Sequence, residues 1–146
     1  MKAIRHFGIV VSDMEKSLHF YRDLLGLKIQ RDMPEEGEFI DSISGLKNVK
    51  VRTVKMSADD GNLIELLYYT SNGHMRKSQG KKDICEIGAS HVAFTVENVD
   101  AEYEKLKKEG IGFNCPPKIS INHKAKVTFC RDPDNVLVEL VEMIKQ

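Results

Sequence analysis

Residues 132–141, DPDNVLVELV, decide the fold of this 146-residue chain. The opening Asp-Pro-Asp-Asn is typical of a tight turn, because proline presets φ and Asx side chains close the turn. Residues 136–141 follow and are apolar except for Glu139, which shares a strand face with Leu137 and Val141. Apolar residues on both faces predict a covered strand. A buried carboxylate without a partner costs several kcal/mol, so Glu139 requires a cation, a proton or a chemical role.

The same phrase occurs earlier in the chain. Residues 60–67, DGNLIELL, align with residues 134–141, DNVLVELV, and this alignment places Glu65 on Glu139. A repeated phrase with a carboxylate at the same place predicts a duplicated structural unit.

Each copy of this unit is predicted to read β-α-β-β-β. Apolar alternation and Gly or Asx punctuation set the boundaries. In the first copy we predict a strand at 3–11, a helix at 14–25, strands at 27–31, 49–56 and 63–69, and an acidic loop at 33–45. In the second we predict a strand at 90–96, a helix ending at Gly110, a short strand at 112–115, a polar loop at 118–124, and strands at 125–131 and 136–141.

The predicted organisation is one compact domain made of two modules, residues 1–72 and 88–146, joined by a surface linker at 73–87. The stretch from 70 to 86 carries Gly, Ser, Asn and basic residues without a clear period. Its lysines and arginine are predicted to be solvated, and the alternative is a loop that grips a phosphate or carboxylate of a substrate.

Composition excludes several classes of protein. The chain has 22 Lys and Arg against 22 Asp and Glu, and this balance argues against a nucleic-acid partner. No apolar run approaches the ~20 residues of a membrane span. We expect no signal peptide, because the apolar run near the start alternates like a strand and is followed by no small-residue cleavage site. Three cysteines without metal-ligand spacing predict reduced thiols in a cytoplasmic protein.

A histidine opens the first strand of each copy, His6 in the first and His91 in the second. If the strands form one curved sheet, these two residues can converge with Glu65 and Glu139. Two imidazoles and two carboxylates would make a mixed N/O site suited to Zn, Ni, Co, Fe or Mn, with room for water or substrate oxygens. The alternative is a set of duplicated structural polar residues that bind no metal.

Five stretches resemble the vicinal oxygen chelate superfamily, the glyoxalase and bleomycin-resistance fold, and come nearest to glyoxalase I-like metal-dependent lyases and isomerases. The resemblance implies an α+β fold, with two tandem βαβββ modules forming a curved mixed sheet around a metal-binding cleft, and a homodimer. The stretches are HFGIVVSD (6–13), FYRDLLGL (20–27), NLIEL (62–66), SHVAFTV (90–96) and RDPDNVLVEL (131–140).

The resemblance also implies the metal ligands, which map onto His6, Glu65, His91 and Glu139. One divalent metal per site is expected, with Ni, Zn or Co first and Fe or Mn as alternatives. The implied activity is that of a lyase or isomerase like lactoylglutathione lyase, acting on a small substrate with vicinal oxygens. Glu139 is the first choice as catalytic base and Glu65 the second.

Several residues depart from the patterns of the individual branches. Val10 and Tyr69 stand where glyoxalase I has an Arg and an Asn that serve glutathione, so dependence on glutathione is not expected. Ser90 and Glu65 depart in the same way from the methylmalonyl-CoA epimerase branch.

Three alternatives to the lyase or isomerase remain. They are an epimerase like methylmalonyl-CoA epimerase, a ring-cleaving dioxygenase with Fe or Mn, and a protein that sequesters a drug or other small molecule without chemistry. The site could be completed within one chain or by residues from two chains of a dimer.

Overall fold

The computed structural model describes residues 2–71 and 83–145. The chain divides into two compact units, Met1–Ser78 and Gln79–Gln146. Each unit carries its own four-stranded mixed sheet with a helix inserted after the first strand. The α+β class and the two modules are therefore confirmed. The predicted linker at 73–87 lies mostly outside the described residues, as does most of the proposed anion-binding loop, and the module boundaries stay a prediction.

Unit 1 follows the predicted order with one additional helix. Its elements are β1 (His6–Val10), α1 (Met14–Leu18), β2 (Lys28–Glu36), α2 (Glu38–Ser44), β3 (Lys50–Ser57) and β4 (Leu63–Tyr69). The sheet order is β1-β4-β3-β2, with β1 parallel to β4 and the other pairs antiparallel. The first and last strands of the module are thus neighbours.

Unit 2 repeats this topology. Its elements are β5 (His91–Thr95), α3 (Val99–Lys108), β6 (Lys118–Ile119), β7 (Ala125–Arg131) and β8 (Leu137–Met143). The sheet order is β5-β8-β7-β6, and again the first strand, β5, runs parallel to the last, β8. The residues of the repeated phrase therefore occupy equivalent central strands, β4 and β8.

The helix of each module begins at an Asx cap. The Asp13 carboxylate accepts a hydrogen bond from the Lys16 N–H at 3.1 Å, and the Asn98 side chain accepts one from the Ala101 N–H at 2.9 Å. Beyond Leu18, α1 continues over His19–Leu24 as a wider π-helical turn.

The core of unit 1 lies between α1 and its sheet. Five side chains from α1, its continuation, the strands and the residue after β1 are completely or almost completely buried, and α1 contacts β4 directly. Burial of this kind is the main favourable term in folding. These side chains are Val11, Leu18, Tyr21, Val54 and Leu66.

The core of unit 2 is built in the same way from α3, β7 and β8. Val99 and Leu106 of α3 are buried, as are Val138 and Leu140 of β8. Cys130 of β7 is fully buried, and burial raises the pKa of its thiol to about 12. Cys130 therefore stays protonated and packs as a small apolar side chain.

The prediction of an acidic loop over residues 33–45 is wrong. Residues 33–36 complete β2, and residues 38–44 form α2. Pro34 is compatible with β2 because this is an edge strand, where a residue without an N–H can face away from the ladder.

Helix α2 is held by tertiary contacts that the local sequence does not predict. Phe39, Ile40 and Ile43 stand at helical spacing, but only Ile40 is buried, whereas Phe39 and Ile43 are exposed. The Asp41 carboxylate accepts hydrogen bonds from two backbone N–H groups before β3, including that of Val49 at 2.8 Å. These bonds fix α2 to the start of β3.

The short strand of the second unit is also displaced from its predicted position. We predicted it at 112–115, followed by a loop at 118–124. In the structure Phe113 makes only an isolated bridge to Cys130, and the strand β6 pairs Lys118 and Ile119 with β7.

Arg52 joins three elements of unit 1 on the helix-facing side of the sheet. Its guanidinium donates two hydrogen bonds to the Asp32 carboxylate, at 2.9 and 2.7 Å, and a third to Glu15 of α1 at 2.8 Å. These hydrogen bonds from Arg52 hold the pKa of Asp32 below its usual range.

We expect Asp32→Asn to lower the free energy of unfolding at pH 7 by about 0.5–1 kcal/mol, the upper part of the range for a bidentate pair at the surface. Because the pKa of Asp32 is lower in the folded protein than in the unfolded chain, where it is about 3.9, the ionised carboxylate stabilises the fold at pH values above about 3.9. This stabilisation is lost as the pH falls through the pKa of the folded state. The difference between the native protein and the variant should therefore shrink below about pH 4. Urea denaturation across pH measures it.

Asp59→Asn is the matched control for this substitution. Asp59 pairs with Lys28, but both side chains are largely exposed, so this variant should change stability very little. An Asp32→Asn effect that persists undiminished in acid would contradict the assignment to the ionised carboxylate.

No helix among the described residues is both long and apolar enough to cross a membrane. Cys85, Cys115 and Cys130 all carry free thiols.

Candidate metal centre

In unit 1 a histidine and a glutamate meet across the parallel strands β1 and β4. His6 is in register with Leu63, and Glu65 is in register with Gly8, so His6 and Glu65 are diagonal neighbours on one face. The His6 Nε2 lies 3.1 Å from the Glu65 Oε2. The Glu65 side chain is only 12% exposed and that of His6 is 32% exposed. The carboxylate is therefore less exposed than the imidazole and is largely shielded from water.

Unit 2 reproduces this pair at the same register. His91 of β5 is opposite Leu137 of β8, and Glu139 is opposite Ala93. The His91 Nε2 lies 3.2 Å from the Glu139 Oε2, with the side chains 32% and 21% exposed. The two modules thus present the same pair of ligand-competent groups through the same strand geometry.

A small residue stands opposite the glutamate in each pair. A Cβ added at Gly8 would lie 3.9 Å from the Glu65 Oε2 and 3.4 Å from a methyl carbon of Leu67, which are ordinary contacts. Ala93 supplies such a Cβ in unit 2. A larger side chain here would lie over the carboxylate, so the small residues leave the space through which the histidine reaches it.

The two pairs differ in the residue on the other side of the glutamate. In unit 1 Lys55 of β3 is in register with Glu65, and its Nζ lies 3.1 Å from the Glu65 Oε1. In unit 2 the register partner of Glu139 is Phe129, whose ring meets that of His91 edge to face at 5.3 Å between centroids. One carboxylate therefore faces a cation and the other an aromatic ring.

The histidine of the second pair has a further partner. The Ser90 hydroxyl lies 2.7 Å from the His91 Nδ1. A hydrogen bond at one ring nitrogen fixes the orientation of the imidazole and directs the other nitrogen toward a ligand. Ser90 therefore orients the Nε2 of His91 toward Glu139.

Helix α2 covers part of the sheet face that carries the first pair. Ile40 of α2 packs with Val49 and Val51, and Leu67 and Tyr69 pack against this cluster. Leu67 and Tyr69 share a strand face with Glu65, because they lie two and four residues beyond it. An apolar, partly buried cluster therefore lies on the side of the site toward Tyr69.

Each pair is chemically suited to a divalent transition metal. Imidazole nitrogen and carboxylate oxygen are the mixed donors that Zn, Ni, Co, Fe and Mn accept. Two donors that each lie about 2.1 Å from an ion are about 3.0 Å apart at a right angle and about 3.4 Å apart at the tetrahedral angle. The observed separations of 3.1 and 3.2 Å fall between these values. The His and Glu residues present therefore fit a divalent transition metal ion.

The structure brings together two halves of the predicted ligand set, His6 with Glu65 and His91 with Glu139. Among residues 2–71 and 83–145, neither pair is joined by a third His, Cys, Asp or Glu into a group able to hold an ion. The four-ligand site and the roles of its members stay predictions.

Sequence reasoning missed Lys55 and Phe129 and treated Ser90 only as a departure from a pattern. A signal for the first two was present, because each stands ten residues before the glutamate of its module. Extending the alignment of the two repeats toward the N-terminus would have aligned Lys55 with Phe129.

The fold and the repeated pair define a class: proteins of paired β-α-β-β-β modules, each with an imidazole and a carboxylate on one sheet face. The profile of the Glyoxalase/Bleomycin resistance protein/Dioxygenase superfamily matches residues 3–140. The chain belongs to this superfamily, which confirms the resemblance seen in the sequence.

Two enzymes are among its relatives in sequence. The chain is 31% identical over 144 residues to the lactoylglutathione lyase of Schizosaccharomyces pombe, covering 94% of this chain and 46% of that one. The chain thus spans about half the length of this relative. It is 29% identical over 142 residues to the mitochondrial methylmalonyl-CoA epimerase of Mus musculus, covering 94% of this chain and 71% of the epimerase.

Solved structures show the same fold. A glyoxalase family protein from Bacillus cereus superposes with a TM-score of 0.89 at 22% identity, covering 99% of this chain and 96% of that one. The fosfomycin resistance protein FosX of Listeria monocytogenes, solved with Mn(II) and sulfate, gives a TM-score of 0.65 at 16% identity, covering 99% and 94%.

Proposed function

We propose that this chain is a divalent-metal-dependent lyase or isomerase of the glyoxalase type, which abstracts a proton next to a carbonyl of a small substrate. The substrate carries two neighbouring oxygens. The metal is Ni, Zn or Co, with Fe or Mn as alternatives, and the protein is a cytoplasmic homodimer. Val10 and Tyr69 argue against dependence on glutathione.

One observation carries the proposal. The same His–Glu pair occurs in both modules, at the same register and with nearly the same separation, 3.1 and 3.2 Å. A single pair of this kind is common as a structural hydrogen bond. Two modules that retain the same half-buried pair, in a superfamily with lyases and epimerases among its members, support a shared ligand role.

Four residues would hold the metal: His6, Glu65, His91 and Glu139. The chemistry that a divalent metal supplies at such a site is polarisation of a carbonyl oxygen, which makes the neighbouring C–H more acidic. Ser90 keeps the His91 Nε2 directed into the site. The apolar cluster that Tyr69 packs against lies on the same sheet face as Glu65.

Proton transfer is assigned to Glu139. Its Oε2 faces His91, whereas its Oε1 has no partner among the described residues. Glu139 can therefore take a proton from the substrate and return it to a neighbouring atom or to the opposite face. Glu65, with both oxygens engaged by His6 and Lys55, is the second choice.

An epimerase is the second candidate function. The match to methylmalonyl-CoA epimerase covers 71% of that enzyme's length, compared with 46% for the lyase. Both reactions begin with removal of a proton next to a carbonyl, so the same residues would serve either. Racemisation of methylmalonyl-CoA, compared with turnover of methylglyoxal with and without a thiol, distinguishes the two.

The first test is the metal content of the untagged, purified protein by elemental analysis. We expect about one transition metal ion per proposed site, because four donors bind such an ion tightly, and none in the His6→Ala/Glu139→Ala double variant. Ni, Co or Zn would direct the substrate screen to isomerases and lyases, and Fe or Mn to oxygen chemistry. A native protein that is empty and cannot be loaded would leave small-molecule sequestration as the working account.

Mixing two single variants decides whether one chain or two complete the site. His6→Ala breaks the first pair and Glu139→Ala breaks the second. If each site combines pairs from two subunits, a mixed dimer regains one intact site. If each site lies within one chain, the mixed dimer regains none.

A further inference from the structure

Lys55 is a cation placed directly against a proposed metal ligand. It is the register partner of Glu65 in the β3–β4 ladder, and its Nζ lies 3.1 Å from the Glu65 Oε1. The Lys55 side chain is 30% exposed and that of Glu65 is 12% exposed, so solvent screens this pair less than the ion pairs at the surface. An ammonium group here repels any divalent cation that approaches the same carboxylate.

The equivalent position in unit 2 carries no charge. Phe129 faces Glu139 there, and it packs its ring against His91 instead of donating to the carboxylate. The first pair, together with Lys55, therefore sums to no net charge when its histidine is neutral, whereas the second pair keeps the full negative charge of Glu139. The two modules therefore have the same proposed metal ligands, but only the first has a positive charge beside its glutamate.

Lys55 also limits how Glu65 can act. The Glu65 Oε2 faces His6 and its Oε1 faces Lys55, so one oxygen is presented to the proposed ligand position and the other is held away. The Glu139 Oε2 is engaged by His91 in the same way, and no polar partner among the described residues holds its Oε1. Glu65 is thus arranged to hold an ion through a single oxygen.

We propose that Lys55 is a positioning residue that sets the strength of the metal site, by holding one oxygen of Glu65 and opposing the charge of the ion at the other. This inference rests on the metal site proposed above. Lys55 thereby lowers the affinity of the first pair for a divalent ion and leaves proton exchange to the second.

The test is the affinity of the full-length, metal-stripped protein for Zn(II), measured by competition with a chromogenic chelator. Two neutral variants are compared with the native protein. Lys55→Met removes the charge and the hydrogen bond, while Lys55→Gln removes the charge and keeps a donor. Both should bind Zn(II) at least about fivefold more tightly, since a unit charge beside the ion has this effect even at the dielectric constant of water in physiological salt.

Two further variants separate this role from a general effect of charge or of folding. Lys55→Arg keeps the charge and should retain the native affinity. Lys50→Met removes a lysine from the same strand, whose Nζ lies 3.1 Å from Glu36 in an exposed pair, and should leave Zn(II) affinity unchanged. A merely structural role for Lys55 would predict weaker Zn(II) binding together with a lower melting temperature of the metal-free variants.

The outcomes are distinct. The inference is overturned if the native protein binds Zn(II) and either folded neutral variant binds it equally or less tightly. If neither the native protein nor any variant binds Zn(II), the proposed metal site fails and this inference fails with it. If only the neutral variants bind Zn(II), the result would support the inference, because the charge of Lys55 would then be enough to prevent Zn(II) binding.

Discussion

Replacing Glu139 with glutamine is expected to lower the catalysed rate by about 10²–10⁴-fold, the usual contribution of a positioned general base. Glutamine keeps the shape of the side chain and one carbonyl oxygen that can bind the metal, but it cannot accept a proton at neutral pH. The protein should therefore retain bound metal while losing turnover. The measurement is kcat on the substrate that the native protein turns over, beside the metal content of the same preparation.

Glu142→Gln is the matched control for this substitution. Glu142 lies three residues further along β8, on the opposite face, where its carboxylate accepts a hydrogen bond from the Val99 N–H at 2.9 Å. A glutamine oxygen can accept the same bond, so kcat should be unchanged. Full activity of Glu139→Gln would remove Glu139 from the role of base, and loss of activity only in Glu65→Gln would assign that role to Glu65.

Truncating Leu66 to alanine should cost about 2–5 kcal/mol of unfolding free energy, as other buried leucines do. Leu66 is fully buried on the helix-facing side of β4 and lies in register between Ile9 of β1 and Val54 of β3, both also buried. The substitution removes apolar contacts and leaves a cavity that the sheet can only partly close. Urea denaturation followed by circular dichroism gives the change.

The repeat offers an internal comparison for this prediction. Leu140 occupies the equivalent place in β8 and is also fully buried, so Leu140→Ala should destabilise unit 2 by a similar amount. Ile121→Ala is the control, because Ile121 is fully exposed. A loss of less than about 1 kcal/mol for Leu66→Ala would be inconsistent with a close-packed core at this position.

The pairing of polar groups was predictable in part. Repetition of a carboxylate within an apolar phrase identified Glu65 and Glu139, and a histidine at the start of each first strand identified His6 and His91. The structure places each histidine beside the glutamate of its own module. This follows because the first and last strands of each unit run side by side and parallel, a relation that no local pattern encodes.

The sequence by itself determined the α+β class, the duplication and most strands of both modules. Period-two alternation and Asx or Gly turns are local signals, and the repeated phrase supplied a second copy of each. The sequence also determined which residues could bind a metal, because each copy of the repeat has one histidine and one glutamate at equivalent positions within apolar strands.

Tertiary structure alone decided three features. Helix α2 is held because Ile40 packs into a cluster on the sheet and Asp41 accepts hydrogen bonds from backbone N–H groups before β3, and local spacing does not show which of its apolar residues is buried. The strand β6 lies where β7 offers partners, at Lys118 and Ile119. Lys55 became part of the site only through cross-strand register, because a residue ten positions from Glu65 reaches it when the hairpin closes. Local periodicity reports which way a side chain faces, whereas the neighbouring strand determines what that side chain meets.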